Sequence, residues 1–292
     1  MRLCAATSVL QLNMERFPEL RSQQAGMRAR MRARALAPAG PPPQRNIPVV
    51  FHIIDPVDPT RITDQQVKSQ IDVLNQDYNN NNADQAKVPP MFKALIGNPR
   101  ISFHLAENGI TRFKTSVQNF GTDDAMKFAA RGGVDVRDPQ KFLNIWVCPL
   151  SGGVLGYAQF PNTGLPETDG VVIATMGFGK GGTASSPFDL GRTAVHEVGH
   201  YLGLFHIWGN GPFDNCTDDD EVDDTPIQRG PNGGKPPFPS HSCDGQANGD
   251  MFMNYMDYVD DDTMVMFSQG QVARMHAALA ESRPGLGLGP VA

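Results

Sequence analysis

Apolar positions along the chain fall into short blocks separated by long polar, glycine- and proline-rich stretches. Ile47 to Ile54 (IPVVFHII) is almost continuously apolar and bounded by prolines, the pattern of a strand buried on both faces. Thr63 then stands as a helix N-cap with Gln66 at the capping-box position. Val67, Ile71 and Leu74 recur at helical spacing until Asn79 to Asn82 end the helix. Ile101 to Ala106 alternates as a half-buried strand, and Phe142 to Cys148 (FLNIWVC) and Val171 to Met176 (VVIATM) read as further strands. Gly152 to Ala158 is a loop leading into a short edge strand, and Gln269 to Glu281 is a closing helix stopped before Pro284. Strand, helix and strands followed by more helix predict an α+β domain, a mixed twisted sheet with helices packed on it. From Asn210 to Gly249 the periodicity gives way to Gly, Pro, Asn and Asp, and a loop of that length needs ties.

The N-terminal segment is different in kind. Met14 to Arg34 predicts a helix with a strongly basic run from Met27, followed by the extended linker Pro38 to Pro43 (PAGPPP). Eight of the 25 Lys and Arg but only two of the 31 Asp and Glu lie in residues 1–45, so that segment is formally +6 and the remainder −12. The acidic part excludes nucleic acid as a partner and favours cationic peptides, calcium or a basic segment of the same chain. We therefore divide the chain into a basic segment and linker (1–45), an N-terminal subdomain (46–206) and a loop-rich C-terminal subdomain (207–292). No apolar run approaches the roughly 18 residues of a membrane span. Leu3 to Leu10 is interrupted by Thr7 and Ser8, which is not the pattern of a signal peptide. Four cysteines, Cys4, Cys148, Cys216 and Cys243, allow up to two disulfides. Cys148, inside a predicted strand, is expected as a buried free thiol.

The chemistry concentrates in His196-Glu197-Val198-Gly199-His200-Tyr201-Leu202-Gly203-Leu204-Phe205-His206. Histidines four apart share one helix face about 6 Å apart along the axis, which is chelating distance for one metal ion. On a straight helix His206 would lie roughly 15 Å from His196, too far for zinc bonds of about 2.0–2.1 Å, so the helix must stop and fold back. Gly203 is where it can do so, since glycine takes positive φ at little cost. Three neutral imidazoles leave the fourth zinc position to water, whose proton Glu197 can take. An amphipathic core helix with incidental histidines accounts for the first two histidines but not for the added Gly203 and His206. Further on, Asp214 to Asp224 gathers carboxylates in the style of an oxygen-ligand calcium site, and Cys216 and Cys243 flank that loop.

The extended zinc motif followed by Asn254-Tyr255-Met256-Asp257-Tyr258 resembles the metzincin metalloproteases, and more narrowly the ulilysin-like branch of the pappalysin family. The resemblance covers most of residues 46–283 through IPVVFHII, SQIDVLNQDYNNNN, FLNIWVC, LGYAQFP, HEVGHYLGLFH, CTDDDEVDDTP and DMFMNYMDY. It implies a twisted, mostly parallel five-stranded sheet with a backing helix, and a zinc helix above the cleft. It also implies a secreted, monomeric zinc endopeptidase made as a latent zymogen, acting on proteins and peptides, with its own prodomain as inhibitor. His196, His200 and His206 would bind zinc, and Glu197 would be the general base toward a zinc-bound water. Met256 would form the Met-turn beneath the metal, and Tyr258 would stabilise the oxyanion.

The same resemblance implies one or two calcium ions, held by Asp220 and by oxygens of Val222 and Thr225, and a Cys216–Cys243 disulfide. A second bridge common in relatives is missing at both ends, around Pro237 and at Thr263. Arg2-Leu3-Cys4 is similar to the family's latency motif, in which a thiolate takes zinc's open position; the usual following glycine is Ala5 here. Relatives cut before Arg or Lys, which makes Gln44-Arg45 the expected activation site. Asp260 to Asp262 are candidates for the acidic residue of that pocket, while Met264 would favour apolar side chains. Two other readings stand beside this one. A zinc hydrolase of non-protein substrates would not need Met256 and Tyr258, and a silent zinc- and calcium-binding protein would not need Glu197.

Overall fold

The computed structural model describes residues 2–36, 40–211 and 215–288. Five strands form one sheet: β1 (Arg45–Asp55), β2 (Ile101–Lys114), β3 (Leu143–Cys148), β4 (Gly156–Ala158) and β5 (Val171–Ala174). Their order is β2-β1-β3-β5-β4, parallel throughout except for the edge strand β4, which runs antiparallel to β5. Alternation along the central strands divides two cores. Ile47, Val49, Phe51 and Ile53 of β1 and Ile145 and Val147 of β3 face one side, whereas Ile54, Trp146 and Cys148 face the other. Burial on both sides is why IPVVFHII carries almost no polar residue.

Helices α3 (Asp64–Asp77) and α4 (Arg192–Tyr201) cover the first face. Val67 and Leu74 of α3 pack there with Ala194, Val195 and Val198 of α4, and the Tyr78 hydroxyl donates to the Val195 carbonyl at 3.0 Å. Thr63 caps α3 as expected, but Gln66 donates to the Phe178 carbonyl at 2.8 Å, tying α3 to the loop before α4. The closing helix α5 (Gln269–Ser282) begins with a complete capping box at Ser268 and Gln271.

Several boundaries depart from the sequence reading. The N-terminal helix is two helices, α1 (Ala6–Arg16) and α2 (Glu19–Ala35), broken at Phe17 because the residue before a proline is pushed out of helical conformation. Strand β2 runs on to Lys114 past a bulge that includes Asn108 at φ 51°, where polar residues interrupt the apolar alternation. Val171 to Met176 is strand only to Ala174 before a 3₁₀ turn. Pro38 and Ala39 of the linker and Asp214 of the acidic run lie outside the described residues. Arg45 is the first residue of β1, with its amide on the Arg100 carbonyl (3.1 Å) and its guanidinium on the Leu286 carbonyl (3.3 Å).

The long C-terminal loop is tied by the Cys216–Cys243 disulfide and by two buried carboxylates. Asp257 accepts from Gln228 Nε2 and the Asn232 amide, both at 2.8 Å, and Asp250 accepts from the Ser242 amide at 3.1 Å. At the start of α4, buried Arg192 donates to Asp77 of α3 (3.2 Å), to Asp84 (2.6 Å) and to the Asp261 carbonyl (2.9 Å). Removing one side of a buried pair leaves an uncompensated charge. Arg192→Met should therefore lower unfolding free energy by about 3 kcal/mol in urea titration; a change below about 0.5 kcal/mol would show that this network does not hold α4 to α3.

Candidate metal centre and the segment that covers it

Helix α4 is held at both ends by elements far away in sequence. At its start, Asp261 Oδ2 accepts the amides of Leu190 (2.8 Å) and Arg192 (3.2 Å), satisfying donors that a helix N-terminus leaves open. At its end, the Gly203 amide donates to the His200 carbonyl (2.9 Å) and the Leu204 amide to the Gly199 carbonyl (3.0 Å), with Gly203 at φ 89°. This is a Schellman turn. It reverses the chain where the sequence required it and returns His206 to the helix face.

The result is a tight triad. His200 Nε2 lies 3.1 Å from both His196 Nε2 and His206 Nε2, and all three side chains are at most 2 % exposed. Tetrahedral zinc with bonds of 2.0–2.1 Å would space its nitrogens about 3.3 Å apart, so the triad fits that ion. The far ring nitrogens fit it as well. His196 Nδ1 is 2.7 Å from the Tyr255 carbonyl and His200 Nδ1 is 2.7 Å from the Leu204 carbonyl. Carbonyls fix Nδ1 as the donor and leave Nε2 its lone pair. Burial lowers all three imidazoles, His200 to about 4, so neutral ligands are available at neutral pH.

Around the triad sit the other residues singled out by sequence. Glu197 is 1 % exposed, and burial pushes its carboxyl up to about 8 against the opposing effects of Cys4 and Arg2. Met256 is fully buried beneath α4, and a side chain at Gly199 would meet its sulfur at 2.5 Å. The glycine inside the zinc motif is thus explained by the methionine floor. A side chain at Gly156 would likewise meet Glu197 Cγ at 2.8 Å, so edge strand and carboxylate approach only because residue 156 is glycine. The Tyr258 ring lies 4.9 Å from the His206 ring, and its hydroxyl donates to the Cys4 carbonyl at 3.1 Å. Trp208, missed in the sequence, stacks on His206 at 4.5 Å.

The fourth member comes from the N-terminus. Cys4 Sγ and the three imidazole nitrogens all lie within 4.8 Å of one another, and the thiol donates to Glu197 Oε2 at 3.4 Å. Backbone pairing holds it there: the Leu155 amide donates to the Leu3 carbonyl (2.8 Å) and the Ala5 amide to the Gly156 carbonyl (3.0 Å). Ala5, Ala6, Val9, Leu10 and Met14 join the second core, against Tyr157 and Phe160. Two residues before the thiol, Arg2 is fully buried, with one guanidinium nitrogen on Thr193 Oγ1 at 2.8 Å and another on Asp261 Oδ1. Of the acidic run Asp260 to Asp262, Asp261 is the one fully buried and in contact with Arg2. Met264 is fully buried in the first core.

The expected calcium residues lie apart from this centre. Asp220 Oδ1 accepts from Val222 N (3.1 Å) and Thr225 Oγ1 (2.7 Å), while its Oδ2 is buried without a partner. Burial pushes Asp220 up to about 8.

Comparison with known proteins agrees with this geometry. The family model described as pregnancy-associated plasma protein-A matches residues 133–280. An extracellular metalloprotease of Verticillium alfalfae is 35 % identical over 243 residues, 80 % of this chain and 75 % of that protein. Extracellular metalloprotease 1 of Coccidioides posadasii is 34 % identical, covering 80 % and 77 %. Among solved structures, a promirolysin variant of Tannerella forsythia has a TM-score of 0.87 at 40 % identity, covering 98 % of this chain and 97 % of that one. Mature mirolysin of the same organism, solved with a cleaved peptide, gives 0.79 at 43 % identity, covering 87 % and 100 %. The chain belongs to the pappalysin family of zinc metalloendopeptidases.

Proposed function

We propose that this chain is the latent form of a secreted zinc endopeptidase in which Cys4 closes the metal centre and Arg2 fills the pocket for the residue after the scissile bond. The observation that carries the reading is the convergence of Cys4 Sγ with three buried imidazole nitrogens beside Glu197. His196, His200 and His206 would hold zinc, which when bound would polarise the scissile carbonyl and acidify a water. Glu197 is the general base that takes the water's proton and passes it to the leaving amine. Met256 supports α4 from below, and the Tyr258 hydroxyl, released from the Cys4 carbonyl, would donate to the developing oxyanion.

Latency follows from the same contacts. Residues 1–45 form the inhibitory unit, 46–206 the subdomain ending in the zinc motif, and 207–292 the subdomain beneath it. Leu3 and Ala5 occupy the backbone groups of Leu155 and Gly156, the edge that an extended substrate would pair with. Arg2 on Asp261 supports a preference for Arg or Lys in that position, since the pocket offers a buried carboxylate and a hydroxyl. The relatives' description as extracellular supports secretion. Asp220, with an orphaned buried oxygen beside Val222 and Thr225, is the proposed calcium ligand.

Protein lacking residues 1–44 should digest casein mainly before Arg and Lys and stop when a zinc chelator is added. In that form Glu197→Ala should keep one zinc and lose at least about 100-fold in kcat, and Asp261→Asn should erase the basic preference. Folded, zinc-loaded protein without activity would sink the protease reading; cuts mainly before apolar residues would sink the pocket assignment.

In the full chain, Cys4→Ala should raise turnover of a small fluorogenic peptide by at least about tenfold without any cleavage of the chain; unchanged turnover would remove Cys4 as the plug.

Asp220 keeps its proton to about 8 instead of the ordinary 3.8, so without a cation stability falls as pH rises across that interval. Calcium requires the carboxylate, so its apparent affinity should weaken by up to about tenfold per unit as pH drops below 8. The calcium-induced rise in Tm should therefore be larger at pH 8 than at pH 6 and vanish in Asp220→Asn. An equal rise in that variant would exclude Asp220.

A further inference from the structure

His206 is oriented differently from its partners. His196 and His200 are each aimed by a backbone carbonyl, whereas His206 Nδ1 meets the Thr7 hydroxyl of the N-terminal segment at 3.4 Å. Its ring is flanked by the stacked Trp208 and by Tyr258, while the backbone turn from Gly203 to Phe205 sets where that ring starts from. That turn ends α4 and leaves the Gly203 carbonyl pointing away from the helix, in need of a donor. The donor is Arg274 of α5, whose Nε lies 2.7 Å from that carbonyl.

Arg274 is 2 % exposed and makes two further contacts, both relevant to the same turn. Its Nη1 donates to Glu221 Oε2 at 2.9 Å, and its guanidinium lies 4.7 Å from the centre of the Phe205 ring. Phe205 directly precedes His206, and its ring packs on Phe160, which packs in turn on His200 at 5.1 Å. Glu221 belongs to the acidic loop, between Asp220 and Val222. A guanidinium is planar, and its donors stand at fixed angles, so one bound to Glu221 and to Gly203 sets the position of each relative to the other. A cation at the C-terminal end of α4 is also favoured by the helix dipole.

We propose that Arg274 is a positioning residue for the metal centre. It holds the Gly203 turn so that His206 completes the triad, and Glu221 of the acidic loop holds Arg274 in turn. The proposal rests on the zinc reading above and adds to it a physical link between the acidic loop and the third ligand. The latent chain touches this link on its outer side. Arg28 of α2 pairs with the other Glu221 oxygen and lies 4.8 Å from the Phe205 ring, and Met31 Cε sits 2.7 Å from where a side chain at Gly203 would begin.

A residue that merely fastened α5 to the core would alter stability without altering how the metal is held. The test is made on the full 292-residue chain, loaded with zinc or with cobalt(II), with the variants Arg274→Met, Arg274→Lys and Glu221→Gln. Zinc affinity should fall about 10- to 100-fold in Arg274→Met, the range found when a group that orients a metal ligand is lost, and zinc transfer to a chelator should quicken accordingly. Arg274→Lys, which keeps the charge but not the fork, should not restore the wild-type rate, and Glu221→Gln should shift it in the same direction by a smaller factor. The visible bands of the cobalt protein should change in Arg274→Met. Wild-type rates and spectra in all three variants would overturn the proposal. Should Arg274→Met fail to fold, Glu221→Gln decides alone, because it changes the charge of a side chain 20 % exposed and keeps its size: a wild-type rate and spectrum there overturns the link. A wild-type chain that takes up neither metal overturns the zinc reading and this proposal together.

Discussion

Everything at the centre depends on the reversal of backbone at Gly203. Two histidines on one helical face can chelate, but they need a third nitrogen within about 3.3 Å to form a closed zinc site. A helix cannot supply it by continuing. The Schellman turn supplies it in six residues, and it also provides the Leu204 carbonyl that orients His200. One local conformation thus places one ligand and aims another. The rest of the fold serves to hold α4 while that happens: Asp261 at its first turn, Arg192 and Tyr78 against α3, Met256 below.

How legible this was in the sequence depended on whether the determining interaction was local. The convergence of the three histidines, the Thr63 cap and the apolar runs of β1 and β3 rest on patterns within a few residues, and each could be read directly. Gly199 and Gly156 carried signals that spacing alone does not decode, because the reason for each glycine is a side chain brought up by tertiary packing. The break at Phe17 was written in Pro18 but masked by strong helical composition on both sides. The second half of β2 hid because it lies at the sheet's edge, where one face is solvated and apolar alternation lapses. Arg2 on Asp261 spans nearly the whole chain, and nothing in either neighbourhood announces the other.

Charge asymmetry was visible early and acquired its meaning from geometry. The arginines of α2 reach Glu221, Asp223 and Glu281, most of them exposed pairs worth little individually. Between them Met27 and Met31 pack on Ala277 and Ala278 of α5. The N-terminal segment is therefore attached in two unlike ways, by the buried Arg2 and the backbone pairing of Leu3 and Ala5, and by a broad charged face along α2.

Asp261 carries a last consequence. One of its oxygens is committed to the amides that begin α4, and the other meets the guanidinium that enters the pocket. On the proposed reading of the pocket, selectivity and the start of α4 would both rest on one side chain. A replacement that left no acceptor oxygen there would withdraw the cap from α4 as well as change what the pocket accepts, whereas asparagine would keep the first and alter the second. Charge at this position is therefore free to change, but an acceptor toward the first turn of α4 is not.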